Sequence, residues 1–244
     1  MRYAVFSDVH GNLEALDAVL ADAARQDPDV YVCLGDVVGY GPDPNECVSR
    51  VRALDAQVIA GNHDRAAIGE VDLETFSPLA RAAIQWTMRT LDDDARRFLA
   101  ALPLRLATPA FLAVHGSPRD PVEEYVFDLP TALAVFSESE FSLCLVGHTH
   151  VPGAFVLGQD GRVGARALPP GEVVGLAALC RYIVNVGSVG QPRDGDPRAC
   201  YLLLDARVRT VVLHRLPYPV ATTQAKIASR GLPSLLARRL STGL

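Results

Sequence analysis

Short apolar runs alternate along the first sixty residues with stretches in which apolar side chains recur every three or four positions. Residues 3–6 form an apolar run of strand length. Leu13, Leu16, Leu20 and Ala23 follow at helical spacing, with Asn12 placed as the N-cap. A second apolar run at 30–34 ends in Gly35-Asp36. It is followed by a helix with Asp43 at its N-cap, Pro44 in its first turn and Cys47, Val48 and Val51 on its inner face. A third run at 58–60 ends in Gly61-Asn62-His63-Asp64. Strands alternating with amphipathic helices predict βαβ units and a largely parallel sheet.

Residues 65–110 change character and predict a helical insert that covers one edge of a site. Ser77-Pro78 starts one helix, through Ala82, Ile84, Trp86 and Met88, and a second spans 93–102. Strands are expected at 111–114, ending in His115, and at 143–146, ending in Gly147-His148-Thr149-His150, with a short helix between them. Beyond residue 150 the pattern changes again. Strands at 154–157 and 163–168 flank the turn Gly158-Gln159-Asp160-Gly161, and further strands fall at 182–186, 200–204 and 210–214. This part reads as an antiparallel meander that forms a second sheet against the first. One helical stretch, 222–240, closes the chain. The expectation is a single domain over 1–244 with the 65–110 insert inside it.

Composition narrows the class. The chain has 244 residues, 49% of them apolar, which suffices for a sizeable core. A formal net charge of −5 without long single-sign runs argues against a surface for long nucleic acid. No run of eighteen apolar residues predicts a membrane span. The opening segment reaches Asp8 too soon for a signal peptide. The five cysteines are odd in number and show no CxxC spacing, so they read as reduced residues of a cytoplasmic protein.

The chemistry sits where the apolar runs stop. Asp8-Val9-His10, Gly35-Asp36, Asn62-His63-Asp64, His115 and His148-Thr149-His150 each follow a predicted strand at once. Loops at the carboxyl ends of strands in α/β sheets project into one crevice, so the five clusters are expected to converge. Five of the six histidines lie in them, and only His214 lies outside. Carboxylate, imidazole and amide oxygen suit divalent Mn, Fe, Co, Ni or Zn, and the absence of cysteine argues against a structural zinc site. There are more ligands than one ion needs. Two ions about 3.5–4 Å apart, sharing a carboxylate, form the arrangement that serves phosphoryl and phosphodiester hydrolysis. Gly11, Gly35, Gly61, Gly116 and Gly147 adjoin the ligands and permit sharp turns and close approach.

In their order and spacing these motifs resemble the calcineurin-like metallophosphoesterase superfamily. The run Asn185-Val186-Gly187-Ser188-Val189-Gly190-Gln191-Pro192-Arg193 resembles its small bacterial and archaeal phosphodiesterase branch. The resemblance spans residues 8 to about 193. It implies a four-layer α-β-β-α sandwich of two packed mixed sheets with a dinuclear metal site at strand ends. It further implies that Asp8, His10 and His150 hold one ion, that Asp36 bridges, and that Asn62, His115 and His148 hold the second, with manganese favoured. His63 would ligate no metal and would act as general acid beside the substrate phosphate, with Asp64 orienting it. The implied reaction is hydrolysis of a small phosphate ester, diesters favoured, by direct attack of a metal-bridging hydroxide.

The chain departs from the family at one place. Many members carry GDxxDRG, whereas this chain has Gly35-Asp36-Val37-Val38-Gly39-Tyr40-Gly41, so the second Asp and the phosphate-gripping Arg are missing. That weakens a protein-phosphatase reading. Arg65, Arg119 or Arg193 could take the place of the missing Arg, with Tyr40 and Arg193 the candidates for substrate contact. A phosphomonoesterase, a dinucleoside polyphosphate hydrolase and a non-catalytic scaffold are the alternatives, and a homo-oligomer is open.

Overall fold

The computed structural model describes residues 1–244. In chain order β1 (Arg2–Phe6), α1 (Leu13–Arg25), β2 (Val30–Cys33), α2 (Pro44–Ala53) and β3 (Gln57–Val58) build the βαβαβ start. Three helices follow: α3 (Asn62–Ala67), α4 (Pro78–Thr90) and α5 (Asp93–Ala100). Then come β4 (Arg105–Ala107), β5 (Leu112–Val114), α6 (Leu129–Glu138) and β6 (Leu143–Val146). The remainder is β7 (Gly153–Leu157), β8 (Val163–Arg166), β9 (Val173–Gly175), β10 (Arg181–Asn185), β11 (Ala199–Asp205), β12 (Thr210–Leu216), α7 (Val220–Ser229) and α8 (Ser234–Arg239).

Two six-stranded mixed sheets result, in the orders β3-β2-β1-β11-β12-β9 and β4-β5-β6-β10-β7-β8. Period-two alternation within each strand divides the apolar residues between two layers. Tyr3 and Val5 face the space between the sheets, where they meet Val32, Leu34, Leu145 and Val184. Ala4 and Phe6 face outward onto Leu16 and Val19 of α1 and Val48 and Val51 of α2. On the second sheet Cys144, Val146 and Ile183 face outward onto Ala132, Val135 and Phe136 of α6. The central strands are therefore covered on both faces, which is why they read as unbroken apolar runs. Each fully buried large side chain contributes roughly 1.5–3 kcal/mol to this arrangement.

The structure corrects several expectations. The strands beyond residue 150 form no single meander. β11 and β12 return to the first sheet beside β1, and β10 runs parallel to β6 and antiparallel to β7. Alternation assigns a face to each residue but does not choose between two open sheet edges. The closing helix is broken at Gly231 and Pro233 into α7 and α8. The short strands β4 and β9 were not expected. Asp43 stands at the N-cap of α2, but its side chain makes no capping bond; instead it accepts from Lys226 Nζ at 2.7 Å. Asn12 and Ser77 do cap, accepting from Ala15 N and Ala80 N.

In the 65–110 segment, α5 covers the outer face of the first sheet. Ala80 and Ala83 of α4 pack with Ile227 and Leu236 of the C-terminal helices around Tyr40. No helix is long and apolar enough to cross a membrane.

Candidate metal centre

β1, β2, β5 and β6 all end at one edge of the two sheets, and their final turns bring the predicted residues together. Asp8, His10 and His150 form one group of potential ligand atoms lying within 4.8 Å of one another, and Asp36, His115 and His148 form another; His10 and Asp36 also group with His63. All six side chains are buried, as are Asn62 and His63. The turns are backbone-strained. Asp8, His10, Asp36, Tyr40, His148 and His150 have φ between 51° and 65°, the left-handed region that side chains with a Cβ avoid. Only three other non-glycine residues do so, and strain of this kind concentrates where a surrounding structure imposes it for a site.

Each carboxylate is held by one oxygen and has the other free. Asp36 Oδ1 accepts from His63 N at 2.8 Å, and Asp8 Oδ2 accepts from His148 N at 3.1 Å. Asp36 Oδ2, Asp8 Oδ1 and Asn62 Oδ1 are buried without any partner. Two glycines allow this approach. A Cβ on Gly61 would lie 2.1 Å from Asp36 Oδ1, and one on Gly147 would lie 2.8 Å from Asp8 Oδ2.

The imidazoles follow the same logic. One nitrogen of each donates to a backbone carbonyl: His10 Nδ1 to Val38 (3.1 Å), His115 Nδ1 to Leu34 (2.8 Å), His150 Nδ1 to Gln191 (2.6 Å) and His148 Nε2 to Glu123 (3.1 Å). A carbonyl only accepts, so each neutral ring presents its bare nitrogen inward. His10 Nε2 then faces His150 Nε2 at 3.1 Å, and His115 Nε2 faces His148 Nδ1 at 3.1 Å. Asp36 Oδ2 lies between the two pairs, 3.5 Å from His10 Nε2 and 3.4 Å from His115 Nε2. Lone pairs converging at this range with unpartnered carboxylate oxygens demand positive charge. The same demand acts on His115, where burial opposes charge on the ring but Asp36 and Asp8 pull its pKa upward. Burial also opposes charge on the two carboxyls, and the neighbouring histidines hold both well below the usual carboxylate range. The donor set fits divalent cations.

His63 differs from the other four. Its Nδ1 is buried and has no partner, so no carbonyl pins the ring. Burial pushes its pKa down to about 4, against the pull of Asp36. The ring packs against Tyr40 (centroids 4.4 Å apart), His10 (4.8 Å) and Phe76 (5.3 Å). The expected Asp64–His63 contact is not made. Asp64 Oδ1 accepts from Val38 N and Oδ2 from Gly61 N, both at 3.1 Å. Consecutive residues on a helix diverge, so Asp64 caps the start of α3 while His63 points to the site.

The three candidate arginines separate. Arg65 pairs with Glu70, and Arg119 with Glu124 and Glu138. Arg193 is half-buried, donates from its side chain only to Gln191 Oε1, and stands 5.8 Å above the Tyr40 ring. Its backbone N–H also donates to His150 O at 3.3 Å.

The sequence profile of the calcineurin-like phosphoesterase superfamily domain matches residues 1–209. This chain belongs to that superfamily. It is 37% identical to the uncharacterized protein MJ0912 of Methanocaldococcus jannaschii, over 98% of this chain and 97% of that one. It also resembles the crystal structure of a metallophosphoesterase from Sphaerobacter thermophilus, with a TM-score of 0.89 and 44% identity over 100% and 99% of the two chains. The hypothetical protein PH1004 of Pyrococcus horikoshii shares the fold, with a TM-score of 0.82 at 21% identity over 100% and 98% of the chains.

Sequence reading did not find the residues that orient the site. The carbonyls of Leu34, Val38, Glu123 and Gln191 leave no mark in side-chain type. Tyr125, stacked on His148 with centroids 3.8 Å apart, lies in an aperiodic stretch.

Proposed function

We propose that this phosphoesterase hydrolyses small phosphodiesters, with Asp8, His10 and His150 holding one divalent ion, Asn62, His115 and His148 a second, and Asp36 shared between them. The observation that carries this reading is the pair of facing, carbonyl-pinned imidazoles around the free oxygens of Asp8 and Asp36. Bound manganese or a similar ion would supply positive charge that acidifies water and offsets the ester's anionic oxygens.

The chain's own residues supply the rest. Arg193 stands beside Tyr40 with a guanidinium that no carboxylate neutralises, and it is the chain's candidate to hold a phosphate oxygen. His63 is the one site imidazole left unpinned, and it would pass a proton to the departing alcohol oxygen. Burial lowers its pKa, and the negative charge of a bound ester would oppose that shift. Tyr40 and Phe76 pack against the His63 ring and limit its movement. Diesters are favoured because the Arg of the GDxxDRG segment, which would grip a dianion, is Tyr40 here. Five unpaired cysteines, four of them buried, support a cytoplasmic location.

The test is hydrolysis of bis-p-nitrophenyl phosphate and p-nitrophenyl phosphate by chelator-stripped protein, with and without manganese. Manganese-dependent turnover that favours the diester is expected. Faster turnover of the monoester would overturn the diester assignment. No turnover with any of Mn, Fe, Co, Ni or Zn would overturn the enzymatic reading.

A further inference from the structure

The four carbonyl-pinned imidazoles are not supported alike. His10, His115 and His150 donate from Nδ1 to Val38, Leu34 and Gln191, carbonyls of the turns that follow β2 and β10. His148 alone donates from Nε2, and its acceptor, Glu123 O, lies between β5 and α6 in a stretch that holds neither helix nor strand. Tyr125 of the same stretch stacks on the His148 ring, with centroids 3.8 Å apart and planes 21° apart. Both supports of this ring therefore come from one short segment.

A segment without regular structure fixes a side chain only if its own backbone is fixed, and this one is. Gly116 N donates to Pro121 O at 2.8 Å and Ser117 N to Asp120 O at 2.9 Å. The buried Ser117 Oγ accepts from Arg119 N at 3.0 Å and Asp120 N at 3.1 Å, and donates to Glu124 Oε2. Asp120 Oδ1 accepts from Val122 N and Glu123 N, both at 3.1 Å. Arg119 ties the segment to α6 through Glu138, and Arg105 of β4 donates to Pro118 O at 2.8 Å. A Cβ on Gly116 would lie 2.8 Å from Asp120 O, so the fold of the segment requires glycine there. The segment begins at His115, the imidazole that faces His148, and so joins the two rings of one pair.

Tyr125 is 44% exposed and joins none of the buried apolar clusters, so core packing does not account for its place. A single hydrogen bond from Nε2 leaves an imidazole free to swing about the line to its acceptor. A flat ring laid on its face blocks that swing. We infer that Tyr125 is a positioning residue whose ring holds the His148 imidazole in the plane that aims Nδ1 at the second ion. This rests on the two-ion reading above and adds a device that serves one of the two ions only.

The test is a manganese titration of chelator-stripped protein followed by low-temperature EPR, in which isolated ions and a coupled pair give different signals. Tyr125→Ala is expected to weaken one of the two binding steps on the order of tenfold and to leave the other unchanged. Tyr125→Phe keeps the ring and should match the unaltered protein. Tyr125→Leu, apolar but without a flat face, should follow Tyr125→Ala and carries the test if that variant does not fold. Unaltered binding of both ions in these two variants would overturn the inference. Equal weakening of both steps, which marks general loosening, would overturn it too, as would a loss that Tyr125→Phe shares. Absence of a coupled signal from the unaltered protein at any manganese concentration would instead overturn the two-ion reading, and this inference with it.

Discussion

Four imidazoles at the strand ends each have one nitrogen committed to a backbone carbonyl, and one does not. That difference separates proposed ligands from the proposed proton donor more sharply than residue type does, because His63 directly follows Asn62, itself a proposed ligand. The consequence is a pair of opposite outcomes. Asp36→Asn removes charge from the oxygen placed between the two histidine pairs, so bound manganese, measured by atomic absorption, and turnover should fall together. His63→Asn should keep full metal content and lose about 10²–10⁴-fold in kcat. Loss of metal in His63→Asn would place that residue among the ligands.

At the scale of elements, α3 has only six residues, and its first turn carries both Asn62 and His63. Isolated helices of this length do not persist, so tertiary contacts must hold it. Asp64 provides two, closing on Gly61 N at the helix start and on Val38 N in the loop after Asp36. Asp64→Ala would leave two buried N–H groups unpaired, which costs at least about 2 kcal/mol. A lowered urea midpoint with unchanged slope is expected. Lost turnover with an unchanged midpoint would point to direct action on His63 instead. The C-terminal helices act at the same scale: Lys226, the chain's only lysine, joins α7 to Glu14 of α1 and to Asp43 beside α2, which keeps the wall behind Tyr40 in place.

For the whole molecule, the histidine outside the site has a separate consequence. His214 of β12 stacks on Tyr201 of β11 and lies 3.2 Å from Asp22 of α1, whose other contacts are Tyr201 Oη and Arg25. Burial lowers its pKa below 6.5, and Asp22 opposes this only in part. The unfolded chain then binds a proton at a pH where the folded protein does not. This contribution is intact above pH 6.5 and is lost as pH falls through the window just below it. His214→Gln should flatten the fall in melting temperature across that window relative to the unaltered protein. An unchanged pH profile would show that the ring titrates alike in both states.

Much of the site was legible because ligand chemistry needs particular side chains directly after buried strands. The clusters at Asp8, Asp36, Asn62, His115 and His148 are therefore visible without coordinates. The βαβ start was equally visible, since local periodicity decides which face of β1 or α1 is buried. Helix boundaries at Asn12 and Ser77 followed from side chains that cap their own helix. Three things depended on the tertiary structure. The choice of sheet for β10, β11 and β12 depended on which edge the rest of the chain left open. The role of Asp64 depended on Val38 and Gly61 presenting N–H groups to it. The inward turn of four imidazoles depended on carbonyls, which every residue carries and which only the folded backbone aims.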